Sequence, residues 1–231
     1  MTMMKTLLND LLNLFFPRLC LLCQTPLVKG EEHICLHCSN NLPYTHFTDL
    51  KTNAACRLFE GKVPFVAATA LLRFEHGGYG QKLIHSLKYH GNKELGYQLG
   101  RRAAIACQKA GLFDTVDVLL PVPLHPERLK QRGYNQSEWI ARGIQSVTGI
   151  PVDTTSVSRI KKTESQTRKQ VYERQKNVEN IFRLNDSEAL KNRHALLVDD
   201  VITTGSTFLA CAASIQAVPG IRISFLGITI A

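Results

Sequence analysis

The chain has 231 residues, 44% of them hydrophobic and 20% charged, with a formal net charge of +9. That length accommodates one α/β domain of ordinary size with a small appendage and argues against two equal domains. The mixed composition, without low-complexity tracts or internal repeats, argues against a disordered chain, and the basic balance favours polyanionic partners, either nucleic acid or phosphorylated small molecules.

In chain order, Leu7, Leu8, Leu11, Leu12, Phe15 and Phe16 recur at helical spacing opposite Lys5, Thr6, Asn9, Asp10 and Asn13. The pattern predicts an amphipathic helix over 1–17, ending at Pro17. Polar residues interrupt the apolar run and no small-residue cleavage site follows, so a signal peptide is not expected. No stretch reaches the length of a transmembrane span, and the protein is expected to be soluble and cytoplasmic.

Residues 18–40 contain Cys20-x-x-Cys23 and Cys35-x-x-Cys38. Two such pairs can set four thiolates around one tetrahedral metal, and the short separation lets a small ribbon close the site. Structural Zn2+ is the expected occupant, supporting a segment too short to have its own core. A disulfide framework is the competitor, and the absence of an export signal argues against it. His33 and His37 flank the second pair and could replace a thiolate, although four cysteines make that unnecessary. Cys107 and Cys211 fall in predicted helices as small apolar residues, and Cys56 has no evident partner.

Residues 41–64 include Pro43, Asn53, Gly61 and Pro64 and read as a linker with little regular structure. From 65 to 231 apolar strands alternate with helices. Strands are expected over 65–74, 116–124, 151–160 and 221–230, with a brief apolar return at 181–184. Helices are expected over 81–91, 93–111 and 135–149, the last capped by Asn135 or Ser137. This alternation predicts an α/β fold, a mostly parallel sheet with helices on both faces.

The strongest signal is "ALLVDDVITTGST", residues 195–207. Leu196, Leu197 and Val198 read as a buried parallel strand. Asp199 and Asp200 are expected at its carboxyl end, the edge where open α/β sheets bind ligands. Thr203, Thr204, Gly205, Ser206 and Thr207 then offer hydroxyls, a glycine and the start of a helix running to about Ala217, which together suit a phosphate. The order describes a ribose 5-phosphate site. A capped helix beside a solvated acid pair is the plainer reading of any one of these signals, and a nucleotide triphosphatase would also need GxxxxGK[ST], which the chain lacks.

Three further stretches carry cations. The loop after the 116–124 strand presents Arg128, Lys130 and Arg132, either an ordinary basic surface loop or a second phosphate site at the same sheet edge. Residues 161–180 set Lys161, Lys162, Arg168, Lys169, Arg174 and Lys176 against only three glutamates, which suits either a lid over a polyanion or a solvated loop. "LIHSLKYHGNKELG" offers Lys88 and Lys93 beside His85, Tyr89 and His90, a helix face able to stack on a base or a solvated helix end.

Residues 195–207 resemble the phosphoribosyl pyrophosphate (PRPP) loop of the type I phosphoribosyltransferases. With the double CxxC, "LKYHG", "PVPL...R...RGYNQS" and "TESQTRKQVYERQKNVENIF" in this order, the chain resembles, over nearly its full length, the ComF family of bacterial competence proteins, whose relatives include the GntX proteins. The resemblance implies a zinc-finger segment joined to a type I phosphoribosyltransferase-like domain that handles incoming single-stranded DNA between a DNA-translocating helicase and recombination-loading proteins. It further implies that Asp199 and Asp200 face ribose hydroxyls, that residues 203–207 bind the 5-phosphate, that Arg128 and Arg132 lie where pyrophosphate sits, and that Mg2+ bridges PRPP oxygens. Many relatives carry more cysteines after the second knuckle, where this chain has only Cys56. The alternative is an active phosphoribosyltransferase joining PRPP to an unidentified acceptor.

Overall fold

The computed structural model describes residues 16–161 and 181–231. The expected amphipathic helix falls on residues that lie almost wholly outside them, as do Lys162, Arg168, Lys169 and Arg174. Within the described residues, strands β1 (Ala67–Arg73), β2 (Val118–Pro121), β5 (His194–Ile202) and β6 (Arg222–Ile230) form one parallel sheet in the order β1, β6, β5, β2. Two short strands, β3 (Val157–Arg159) and β4 (Phe182–Leu184), pair antiparallel apart from it. The strand expected over 151–160 is thus reduced to β3, and Val152 adds only an isolated bridge to Leu119.

Parallel strands need crossovers, and these put helices on both faces. The period of two along each strand sorts the side chains. Leu196, Val198, Leu226 and Ile228 enter one buried layer, while Ala195, Leu197, Ile223 and Phe225 enter the other. Helices α3 (Tyr79–Tyr89), α4 (Lys93–Gln108) and α6 (Gln136–Thr148) cover the first layer. There α4 and α6 cross at two glycines: a Cβ on Gly100 would strike the Ile140 carbonyl, and one on Gly143 the Tyr97 carbonyl. The N-cap of α6 is Asn135, whose side chain accepts from Ser137 N.

Helices α2 (Ala54–Arg57) and α7 (Ser206–Ile215) belong to the second layer. Its centre is aromatic, with Phe59 stacked on Phe225 at 4.2 Å between centroids and edge-on to Phe208 at 6.0 Å. Residues 41–64 therefore carry more structure than a linker. Besides α2 they place Leu42, Ala55, Cys56 and Phe59 in the core, and Cys56 Sγ donates to the Leu50 carbonyl at 3.1 Å. Apolar burial overrides the turn-forming residues of that stretch, because Phe59 has a socket only once the sheet exists. Helix α1 (Leu36–Asn40) completes the cysteine segment, whose Leu22 and Ile34, with Leu42 just after it, join the first layer. A short helix, α5 (Pro126–Arg132), follows β2.

Candidate functional site

Strand β5 runs three residues beyond Asp199, so the two acids lie inside it and not at its end. Pairing with β6 continues to Ile202↔Ile230 because both strands are nine residues long. On the other side β2 stops at Pro121, opposite Val198, and the chain leaves through Pro123. The acids sit where β5 loses that neighbour, and a cleft opens there.

The cleft has a volume of about 280 Å³. Lys88 of α3, Arg128 and Arg132 of α5, Arg159 of β3, Asp199 and Asp200 of β5, Thr203 of the following loop and Thr207 of α7 all line it. Sequence positions from 88 to 207 thus converge, and every expected PRPP-site acid and both pyrophosphate-loop arginines are among them. Lys161 is exposed and not part of the lining; its carbonyl accepts from Arg159 Nε at 3.4 Å.

Asp199 is buried, and its Oδ1 accepts from Ser137 Oγ at 2.7 Å and from the Asp200 amide at 2.9 Å. Burial, reinforced by the adjacent Asp200 charge, raises its carboxyl to about 7. Asp200 Oδ2 lies 3.2 Å from Lys88 Nζ. Burial lowers the Arg159 pKa, with the nearby Arg128 charge acting the same way, and its guanidinium lies over the Phe182 ring at 5.4 Å. Arg132 donates to Gln136 Oε1, fixing the end of α5 against the start of α6.

The loop from β5 to α7 sets exposed hydroxyls beside a helix start that no side chain caps. Gly205 caps α7 with φ 73° and no side-chain hydrogen bond, and a Cβ there would come within 2.8 Å of the Phe59 ring. Only glycine meets both demands. Thr204 Oγ1 donates to Ser206 Oγ at 3.1 Å, and both residues are exposed beside the open amino end of the helix.

Sequence reasoning missed Arg159 and Gln136 as cleft residues and Ser137 as the buried partner of Asp199. Arg159 had one usable signal, a cation ending a strand just before the charged 161–180 stretch. Ser137 was read only as a candidate cap, and its bond to Asp199 spans 62 residues, beyond any local pattern.

In the cysteine segment, the ligand atoms of Cys20, Cys23, Cys35 and Cys38 lie within 4.8 Å of one another, with Cys23 and Cys35 Sγ 3.6 Å apart. A tetrahedron with Zn–S bonds of about 2.3 Å has edges of about 3.8 Å, so the four thiols could hold a metal such as zinc. Backbone amides already point at the sulfurs, from Leu22 and Cys35 to Cys20 and from Cys38 to Cys35, at 3.3–3.5 Å. The Thr25 hydroxyl and amide lower the Cys23 thiol to about 6, whereas burial raises Cys38 to about 12. Burial also opposes ionisation of Cys20, but the amides of Cys35, Cys23 and Leu22 outweigh it and lower that thiol.

These features define a parallel α/β protein with a cation-rich cleft at the carboxyl edge of its sheet and an appended four-thiol knuckle. No family model matches the chain. DNA utilization protein YhgH of Shigella flexneri is 30% identical over 208 residues, covering 83% of this chain and 87% of that one. Competence protein F of Haemophilus influenzae is 38% identical over 92 residues, 39% of this chain and 40% of that one. Competence protein ComFC of Bacillus subtilis is 26% identical over 195 residues, 82% of this chain and 74% of that one. The chain belongs to the ComF family of competence and DNA-utilization proteins. Among solved structures, the allosteric regulatory enzyme of purine biosynthesis is similar with a TM-score of 0.38 and 15% identity, over 57% of this chain and 26% of that one. A likeness that partial says nothing of activity. Among the described residues no helix is long and apolar enough to cross a membrane.

Proposed function

We propose that the chain serves DNA utilization and competence, the roles its relatives' names carry, by binding single-stranded DNA beside a pocket for a ribose 5-phosphate of the PRPP type. The observation that carries this reading is the convergence of four cationic side chains, Lys88, Arg128, Arg132 and Arg159, with Asp199, Asp200, Thr203 and Thr207 on one cleft. Two acids among cations suit a ligand that is both a polyol and a polyanion. Ribose hydroxyls donate to Asp199 and Asp200, the 203–207 loop and the first turn of α7 take the 5-phosphate, and Arg128 and Arg132 meet the pyrophosphate.

Asp199 Oδ1 accepts from Ser137 and the Asp200 amide, and Asp200 Oδ2 pairs with Lys88. A dication held by protein alone would compete with these partners, so Mg2+ enters with the phosphates of the ligand. Zinc in the knuckle is structural, since four thiolates fill its coordination sphere. A second reading, a working phosphoribosyltransferase acting on an unidentified acceptor, draws on the same convergence of acids, cations and hydroxyls at the cleft.

The test is a fluorescence titration of a labelled single-stranded oligonucleotide across salt, repeated with saturating PRPP and magnesium. Affinity that falls steeply with salt and shifts with PRPP is expected, because cationic side chains read phosphate and the two ligands share Lys88. Absence of DNA binding at low salt overturns the DNA reading and turns attention to the transferase. The Asp199→Asn, Asp200→Asn double variant is expected to stay folded and lose PRPP binding. Parent-like PRPP binding in that variant would show that the acids do not hold the ribose.

A further inference from the structure

We infer that the pocket between α3 and the cysteine knuckle is a base-stacking subsite, taking one nucleobase of a single strand whose phosphates run toward Lys88. The inference rests on the DNA-binding reading above and gives it a location.

The pocket, about 520 Å³, is walled on one side by Leu21 and Gln24 of the knuckle and on the other by Lys82, His85 and His90 of α3 and the turn after it. His85 and His90 bring two flat rings to it, and Tyr89 packs against His85 beside it. His85 lies 4.8 Å from Tyr89 and 5.4 Å from His90, centroid to centroid, and Tyr89 is 70% exposed. Large exposed rings that pack on one another and cover no core are a platform any base can stack on, since every base has a π face. Helix α3 carries Lys82 and Lys88 and no carboxylate, so a phosphate backbone passing over it meets no like charge.

The knuckle supplies the second wall because Lys82 Nζ donates to the Leu22 carbonyl at 3.3 Å, tying the two together. Gln24 there offers both donor and acceptor to a base edge. Lys88 follows His85 by three residues and is therefore its neighbour on the helix surface, yet it reaches Asp200 in the other cleft. Helix α3 is the element shared by both sites, and the knuckle thereby gains a role beyond support.

The experiment compares the full zinc-loaded parent with His85→Ala, Tyr89→Ala and the double variant. Each is titrated with an oligothymidylate, with an abasic strand of the same length and, separately, with PRPP and magnesium. The parent is expected to bind the thymidylate about tenfold more tightly than the abasic strand, the effect of stacking one base. The double variant is expected to lose that preference while keeping its affinity for the abasic strand and for PRPP, which also shows that it is folded. A double variant that retains the preference, or a parent without one, overturns the subsite while leaving DNA binding intact. A parent that binds neither strand overturns the DNA reading itself.

Discussion

The cysteine knuckle and the cleft are built by opposite routes. The four thiols come from residues 20–38, and two-residue spacings bring them together almost regardless of what surrounds them. The cleft draws on positions 88 to 207, and only the folded sheet brings Lys88, the 128–132 arginines, Arg159 and the 199–207 stretch together. A local site depends on its ligand for order, whereas an assembled site depends on the core. Perturbations of the two should therefore separate.

Metal removal should have the largest effect. Structural zinc contributes on the order of 10–16 kcal/mol to the folding of small zinc peptides, so chelation should abolish amide-exchange protection across residues 19–42. Protection in β5 and β6 should survive. Loss of protection in β5 and β6 in the same step would merge the two regions into one cooperative unit through Leu22, Ile34 and Leu42, and absence of zinc in cleanly purified protein would end the four-thiolate assignment.

Phe59→Ala attacks the other route. It empties a fully buried ring position beneath Gly205 and should cost about 3–5 kcal/mol, measured by urea unfolding. PRPP affinity should fall with it while zinc content is unchanged. A cost under about 1 kcal/mol would return residues 41–64 to the status of a linker.

Gly205→Ala should cost about 1–2 kcal/mol for the left-handed backbone and should weaken PRPP far more than it weakens DNA. Equal losses for both ligands in parallel titrations would show that the loop does not act on phosphate in particular.

Asp199→Asn is the finest test and depends on pH. Burial and the Asp200 charge raise the Asp199 carboxyl from 3.8 to about 7, so the folded state keeps a proton that the unfolded chain releases between these values. The stability linked to that proton is fully present below about pH 4 and is lost as pH rises through about 7. Asparagine does not ionise and can still accept from Ser137 and the Asp200 amide. Relative to the parent, the variant should melt about 2–4 °C higher at pH 8 for each 1 kcal/mol regained, with the difference vanishing near pH 4. A pH-independent difference would mean that Asp199 ionises normally.

Much of the plan was legible before the fold was known. The helices at 79–89, 93–108 and 136–148 follow apolar periodicity and clear caps, and β1, β5 and β6 follow apolar runs. The acid pair and the hydroxyl-rich loop after it were legible because they are contiguous. Where β5 ends was not, since its length is set by pairing with β6, more than twenty residues later. Arg159 escaped because nothing beside it in the chain marks it as facing a cleft, and Phe59 because turn-forming residues around it mask a side chain that three aromatic neighbours hold.

Neighbouring positions and the order of motifs were enough to read the family, the four-thiol spacing, the α/β alternation and the acid-then-hydroxyl order of residues 199–207. Only the tertiary structure decided that Lys88 reaches Asp200, that Ser137 holds Asp199, that Arg159 joins the cleft, and that the knuckle walls a pocket with α3. Those contacts join residues tens of positions apart, and they exist only because a shared apolar core brings the elements carrying them together.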